Sequence, residues 1–128
     1  MKPGFDPGTV GEWTITTTPE MGITHLGPGV PSMYSTPSMV SLIEGACVQL
    51  ITRFVDEGEQ SVGFHVDVKH LAPTQIGKKV TAKVKLREVN GRRLLFDVEV
   101  HSEDGVKIGE GMHERAIVDI KRFAAAQQ

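Results

Sequence analysis

The sequence predicts a single α+β domain in which a mostly antiparallel β-sheet wraps around one long apolar helix. Three observations favour this class. Only one segment has helical periodicity, four later segments alternate apolar and polar residues, and tight-turn signals separate most of these segments. With 128 residues the chain can build one substantial core but not two. We therefore expect one domain over residues 1–128, with an irregular lead-in over 1–11 and a frayed tail over 124–128.

The first predicted strand covers Glu12–Thr18, where apolar Trp13 and Ile15 alternate with threonines. Three glycines and two prolines precede it, which explains why residues 1–11 are expected to be irregular. The connection that follows, from Pro19 to Val30, is rich in turn residues and leads to the helix.

The long helix is predicted to begin with Thr36 as its N-cap and Pro37 as its first residue, and to end near Val55 with Gly58 as the terminator. Its apolar residues recur at steps of three and four and cover most of its surface, so we expect the sheet to surround it. These residues are Met39, Val40, Ile43, Ala46, Cys47, Leu50, Ile51, Phe54 and Val55.

Glu44 departs from this pattern, because at 100° per residue it falls between Ile51 and Val55 inside the apolar sector. Removing an unpaired carboxylate from water costs several kcal/mol, roughly. Two interpretations stay open. Glu44 lies at the rim of the sector and reaches water or a structural cation, or it is held there for chemistry.

Four further strands are predicted after the helix, over residues 62–70, 80–87, 94–100 and 106–118. Asn90-Gly91 predicts a hairpin between the second and third of them, and Asp104-Gly105 predicts the next turn. A strand, a long apolar helix and four strands is the element order of the hotdog fold. Its edge strands invite pairing with a second copy, so we expect at least a dimer.

Composition excludes several classes of function. The net charge of −2 and the 5% of aromatic residues indicate no nucleic-acid partner. No apolar run approaches the roughly 20 residues that span a bilayer, and the N-terminus lacks the apolar region of a secretory signal. The one cysteine, Cys47, permits no internal disulfide and is expected to be a core residue. We therefore expect a cytoplasmic protein.

Three polar residues stand where the patterns do not require them: Thr36 at the helix start, Glu44, and His70 at the end of the strand after the helix. Thr36 alone is equally explained as a helix cap, and His70 as a strand-end histidine bonded to backbone. Eight residues of helix rise about 12 Å, so Thr36 and Glu44 are not in contact but could line two sides of one cleft.

The remaining motifs predict no metal or cofactor. The other histidines show no metal-ligand spacing, and the sequence has no nucleophile elbow, phosphate loop or dinucleotide fingerprint. Gly109-Glu110-Gly111 is interpreted as a strand irregularity or a close backbone approach.

A resemblance to a known family adds to these observations. Its most specific parts are the threonine-to-glutamate spacing, the histidine 26 residues beyond the glutamate, and a late Gly-x-His-Glu-Arg-Ala run. With these features the chain resembles the fluoroacetyl-CoA thioesterase family of hotdog proteins from about Val10 to Phe123. The segments that carry the resemblance are Thr36–Val48, Val68–Thr74, Asn90–Leu94 and Ile108–Ala116.

The resemblance implies hydrolysis of an acyl-CoA thioester by a threonine, a glutamate and a histidine, which match Thr36, Glu44 and His70. It further implies that Gly63 lies where the backbone approaches the substrate and that Arg115 belongs to the substrate site. An arginine in an outer strand is ordinarily solvated, so Arg115 is the less expected of the two. Coenzyme A is then part of the substrate, no separate cofactor is needed, and the chain is a homodimer, with a tetramer left open.

Two departures from the family pattern predict a more open pocket. The segment from His25 to Ser35 is shorter than the phenylalanine-bearing lid of the fluoroacetyl-specific member, and Tyr34 is its only aromatic residue. Gly45 stands where that member has a bulky tryptophan. We therefore expect an acyl group other than fluoroacetyl.

Two alternative functions are also compatible with the sequence. The chain could be a hotdog domain that binds acyl-CoA as a sensor without hydrolysing it. It could also be a hotdog enoyl-CoA hydratase, which needs an aspartate beside a histidine. Asp67 and His70 are close in sequence but are expected to face opposite sides of their strand.

Overall fold

The computed structural model describes residues 1–128 and confirms the α+β class. Besides a short 3₁₀ turn at Pro19–Met21 it contains five strands and two α-helices. These are β1 (Val10–Thr16), α1 (Thr36–Thr52), β2 (Glu59–His70), β3 (Lys79–Asn90), β4 (Arg93–Ser102), β5 (Lys107–Asp119) and α2 (Ile120–Ala126).

The five strands form one antiparallel sheet in the order β1-β3-β4-β5-β2, which makes β1 and β2 its edges. Strands β3, β4 and β5 are joined by the two predicted tight turns. Gly91 and Gly105 adopt φ values of 63° and 80° there, a conformation that glycine reaches without strain. Helix α1 packs across one face of this sheet. Its buried residues are Met39, Leu42, Ile43, Ala46, Cys47, Leu50 and Ile51.

The helix begins one residue away from the predicted cap. Ser35, not Thr36, is the N-cap, and its Oγ accepts the N–H of Ser38 at 3.2 Å. Thr36 is the first helical residue, so its hydroxyl is free for another partner. The sequence did not separate the two residues, because serine and threonine both cap helices well.

The helix also ends earlier than predicted, at Thr52 rather than near Val55. The N–H groups of Arg53 and Phe54 bond back only three residues, which tightens the last turn and ends the helix. Gly58, with φ of 84°, lies in the turn before β2 and does not terminate the helix.

The lead-in before Val10 has no helix or strand, as expected, but it packs onto the core, and the tail is helical rather than frayed. Phe5 in the lead-in is buried, and its ring centroid lies 5.1 Å from that of Phe54 and 6.5 Å from that of Phe96. The expected frayed tail is helical through Ala126 as part of α2, because Asp119 caps that helix by accepting the N–H of Arg122.

The predicted apolar face of β2 is divided by a β-bulge between Gly63 and His65. A bulge adds one residue to one strand and moves the alternation to the other face. Val62 therefore lies opposite Ala116, on the face away from the helix, whereas Val66 lies opposite buried His113. Phe64 in the bulge is 48% exposed and Val66 is 39% exposed, so this edge strand presents apolar side chains to solvent.

The space at Gly45 is not open. A Cβ atom added at Gly45 would lie 1.9 Å from Cζ3 of Trp13, whose ring packs from β1 onto α1 at this point. The expectation that Gly45 opens the pocket is therefore wrong, because an aromatic side chain from another element fills the place.

The Trp13–Gly45 contact predicts an unusual effect of a helix-favouring substitution. Gly45→Ala should destabilise the protein by ~1–3 kcal/mol through overpacking, although alanine is better than glycine in a helix by about 1 kcal/mol. In a Trp13→Ala background the same change should be neutral or stabilising. Urea unfolding of the four proteins measures this, with exposed Gln49→Ala as the control on the same helix. Equal effects in both backgrounds would contradict the contact.

Candidate active site

The structure brings two of the predicted site residues into direct contact. Oγ1 of Thr36 lies 2.8 Å from Nδ1 of His70, which joins the start of α1 to the end of β2 within one chain. This contact exists because Ser35 takes the capping role and leaves the Thr36 hydroxyl free. A hydroxyl within hydrogen-bond reach of an imidazole is the arrangement of a nucleophile beside its base.

Burial lowers the pKa of His70 below its ordinary value, because desolvation disfavours the charged ring. The neutral ring can accept the Thr36 hydroxyl proton at Nδ1 and then carries its own proton on Nε2. Nε2 is buried and has no hydrogen-bond partner in the chain. The ring of Tyr34 lies edge-on to that of His70, with centroids 6.4 Å apart, and helps to hold it in place.

Glu44 belongs to a second group, centred on Arg115. Oε2 of Glu44 lies 3.2 Å from Nη1 of Arg115. The guanidinium also donates from Nε to Oγ of Ser61 at 2.8 Å and from Nη2 to the Ser61 carbonyl at 3.0 Å. The Arg115 side chain is only 5% exposed, whereas that of Glu44 is 41% exposed. On its core side Glu44 is therefore held by the buried Arg115 guanidinium, and on its other side it is open to solvent.

The buried position of Arg115 differs from the expected solvated arginine of an outer strand. Strand β5 lies between β4 and β2, so it is not an edge, and Arg115 shares the helix-facing side of the strand with His113 and Ile117. Its contacts with Ser61 and Glu44 replace the water that an exposed arginine would bind.

Gly63 lies against the same group. A Cβ atom added there would be 2.7 Å from Oε2 of Glu44 and 3.0 Å from Nη1 of Arg115. Any side chain at this position would displace the carboxylate or the guanidinium. The glycine therefore keeps this approach to Glu44 clear.

Two partners in this group, Ser61 and His113, were not predicted. His113 is fully buried, and its Nε2 lies 3.2 Å from Nη1 of Arg115. The signal that could have identified His113 is its spacing from Arg115, because residues two apart in a strand share a face. Ser61 carried no comparable signal, because polar residues at this end of β2 look like ordinary strand surface.

The two groups lie at opposite ends of one strip where α1 meets β2. Eight residues separate Thr36 from Glu44, a rise of about 12 Å along the helix. The register of β2 and β5 agrees with this separation, because His70 lies opposite Gly109 and Gly63 lies opposite Arg115. A concavity of about 520 Å³ lies elsewhere, between β1, Arg53 and the outer side of β3 and β4. Thr36 is exposed and the Glu44 side chain is 41% exposed, so a single chain presents this strip as an open surface.

The glycines of β5 are explained by close backbone approach. A Cβ atom at Gly109 would lie 2.6 Å from Sδ of Met39, and one at Gly111, where φ is 155°, would lie 2.0 Å from the carbonyl oxygen of Asp67. The close approach that the sequence suggested for this segment is confirmed at both glycines.

Other chemistry finds little support in the structure. No group of three or more histidine, cysteine, aspartate or glutamate side chains could hold a metal ion. Burial raises the pKa of the Cys47 thiol to about 12, so it stays protonated and is no nucleophile. Asp67 lies opposite Met112 and faces away from His70 across the strand, so the two do not form a hydratase pair. Neither α-helix has the length and the apolar composition that a membrane-spanning helix requires.

Comparison with known proteins agrees with the fold and the predicted family. The family model described as fluoroacetyl-CoA-specific thioesterase matches residues 17–121. A fluoroacetyl-CoA thioesterase from Streptantibioticus cattleyicolor is 37% identical over 132 residues, which cover 98% of this chain and 94% of that protein. The solved structure of the fluoroacetyl-CoA thioesterase FlK has a TM-score of 0.88 at 34% identity, covering 97% of this chain and 96% of that one. A hot-dog-like protein from Thermanaerovibrio acidaminovorans shares the fold, with a TM-score of 0.85 at 23% identity over 96% of this chain and 90% of that one.

The fold and these relatives define a hotdog-fold thioester hydrolase, which confirms the predicted fold and the predicted class of enzyme. Because the family model covers most of its length, the chain belongs to the fluoroacetyl-CoA-specific thioesterase family.

Two histidines with desolvated rings, His70 and His113, predict that stability depends on pH. The pKa values of His70 and His113 are lowered from 6.5, chiefly by desolvation, so the unfolded chain binds protons that the folded chain does not. The free energy of unfolding should be highest above about pH 6.5 and fall with decreasing pH, by at most about 1.4 kcal/mol per unit for fully buried His113 and by less for His70, whose partial exposure to water weakens the effect. Urea unfolding between neutral and mildly acidic pH measures this slope. His113→Gln and His70→Gln should each reduce it, and an unchanged slope in both variants would contradict the account.

Proposed function

We propose that this chain hydrolyses acyl-CoA thioesters to the free acid and coenzyme A, with Thr36, Glu44 and His70 as its catalytic residues. One observation carries the proposal most directly. A carboxylate held by a buried cation and a hydroxyl bonded to a neutral imidazole lie along the same open strip. A thioester carbonyl needs such groups, because its hydrolysis requires a nucleophile, a base and a donor for the developing oxyanion.

Glu44 supplies either the attacking carboxylate or the base that takes a proton from water. Arg115 orients it from below, and Gly63 leaves room for the substrate at its side. In the second case Glu44 takes a proton from water, the water oxygen bonds to the carbonyl carbon, the carbon–sulfur bond breaks, and the proton is returned to the leaving sulfur, which gives the free acid and the thiol of coenzyme A. Both routes use the exposed side of the carboxylate.

The Thr36–His70 pair acts at the other end of the strip. Neutral His70 can take the Thr36 proton, so Thr36 can attack the carbonyl or orient the thioester. The N–H of Thr36 is also available to an oxyanion. Of the first four residues of the helix, Ser38 and Met39 donate their N–H groups to Ser35 and Pro37 has no N–H, so the N–H of Thr36 is the one that is left.

We further propose an acyl group other than fluoroacetyl. The relatives that are named for fluoroacetyl-CoA are similar over nearly their whole length, but the segment from His25 to Ser35 provides no aromatic cover here. Its one aromatic residue, Tyr34, is buried beneath the start of α1, where its hydroxyl donates to the Ser38 carbonyl at 3.1 Å. Leu26 and Val30 in this segment are exposed.

A homodimer is the proposed state of the protein, formed by the β2 edges of two copies. Exposed Phe64 and Val66 lie on this free edge, beside the open strip. Pairing with a second β2 would satisfy the edge backbone groups and cover the apolar side chains. The second chain would then provide a wall for the substrate site.

A cytoplasmic location is also proposed. Cys47 is the one cysteine and it is free, which is typical of proteins from a reducing compartment.

Thiol release from a panel of short, aromatic and long acyl-CoA esters tests the activity. Glu44→Gln should lower turnover by ~10²–10⁴, the usual effect of losing a catalytic acid or base, while acyl-CoA binding persists. Glu99→Gln, on the outer sheet face, is the matched control and should behave as wild type. If thiol release stays at background for every ester while acyl-CoA binds tightly, the proposed hydrolysis is wrong and the chain is a non-catalytic acyl-CoA sensor.

The dimer is tested by placing charge on the β2 edge. Phe64→Glu and Val66→Glu should shift the solution mass toward the monomer and reduce turnover together. Val106→Glu, at a comparably exposed valine away from β2, should leave the mass unchanged. Sedimentation equilibrium measures this and separates a dimer from a tetramer. A wild-type protein that stays monomeric at all concentrations would exclude the assembly.

A further inference from the structure

We infer that His113 is a positioning residue, which holds the Arg115 guanidinium against Glu44 as a neutral imidazole with its proton on Nδ1. The inference rests on the proposed function, because it concerns the orientation of the proposed catalytic carboxylate. His113 does not touch the strip itself. It is fully buried between the sheet and α1 and acts through Arg115.

The two contacts of the ring determine its proton. Nδ1 lies 2.8 Å from the carbonyl oxygen of His65, and Nε2 lies 3.2 Å from Nη1 of Arg115. A carbonyl oxygen only accepts and a guanidinium only donates, so Nδ1 carries the hydrogen and Nε2 offers its lone pair. Of the neutral and charged forms of the ring, the Nδ1–H tautomer alone satisfies both contacts.

The charged groups around the ring do not reverse the effect of burial. Burial is the largest cause and lowers the pKa of His113. The hydrogen bond to the His65 carbonyl and the Glu44 carboxylate on α1 raise that pKa, whereas the positive charges of Arg115 on β5 and of His65 on β2 lower it further. The ring therefore stays neutral while Arg115 stays charged.

His113 and Ser61 hold opposite edges of the guanidinium. Ser61 accepts from Nε and Nη2 on the side away from Glu44. His113 accepts one hydrogen of Nη1, which leaves the other for Oε2 of Glu44. If Nε2 of His113 is removed, Glu44 is the only remaining partner of Nη1 of Arg115. The guanidinium is then less firmly held, and the Glu44 carboxylate loses its orientation.

The same ring also fixes the β2 bulge. His65, whose carbonyl accepts from Nδ1, ends the irregularity that begins at Gly63. A Cβ atom at Gly63 would lie 2.9 Å from Cε1 of His113. The His113 ring thus contacts both Gly63, which faces the proposed substrate site, and Arg115, which holds Glu44.

Two amide substitutions separate positioning from a structural role. His113→Asn places an amide donor near Nδ1 and removes the acceptor for Arg115, whereas His113→Gln places an amide oxygen near Nε2 and keeps that acceptor. We expect His113→Asn to lower kcat by about 10- to 100-fold with KM changed by less than about threefold, and His113→Gln to recover most of kcat. His101→Asn, a strand histidine on the outer sheet face, is the control for basal activity.

A second measurement needs no variant. Nitrogen-15 NMR of the wild-type imidazole rings should show His113 as the Nδ1–H tautomer at neutral pH, and this holds even if a variant folds poorly. A His113→Asn enzyme with wild-type kcat, a His113→Gln enzyme no better than His113→Asn, or an Nε2–H tautomer would each overturn the inference. Failure of the proposed hydrolase function can be told apart from failure of this inference, because in that case the wild-type protein itself would release thiol only at background level.

Discussion

The burial of the Arg115 guanidinium is the constraint on which the site depends. Its charge is permanent, and an unpaired charge at this depth would cost several kcal/mol, roughly. Ser61, His113 and Glu44 together accept four hydrogen bonds from it. Three features of the site follow from accommodating the Arg115 guanidinium: the burial of Ser61 near the start of β2, the tautomer of His113, and the absence of a side chain at Gly63.

The same constraint explains a carboxylate on an apolar helix. Glu44 is tolerated beside the core because a cation lies beneath it, and part of its side chain stays open to the strip where α1 meets β2. The Thr36–His70 pair is built independently at the other end of that strip, from a helix start whose cap is the preceding serine. The hotdog fold supplies the geometry, since the helix and β2 run side by side between the two groups.

Local patterns predicted the fold well, because helical periodicity and tight-turn residues depend on near neighbours in the chain. Some failures were local, at the cap and at the end of α1, and others came from contacts between distant residues: the β2 bulge at Gly63 and the Trp13 ring over Gly45. Within the site, Thr36, Glu44 and His70 were noticed because each departs from its pattern. Gly63 and Arg115 came from the family resemblance alone. His113 was missed because Arg115, which shares its strand face, was expected to be solvated rather than buried.

The most direct test of this account is a crystal structure of the Glu44→Gln variant with an acyl-CoA thioester bound. The thioester carbonyl should lie on the strip between residue 44 and the Thr36–His70 pair, with Arg115 still buried beneath and Gly63 beside the acyl group. A thioester bound elsewhere, for example in the concavity beside Arg53, or an Arg115 that has moved out to meet the substrate, would contradict it.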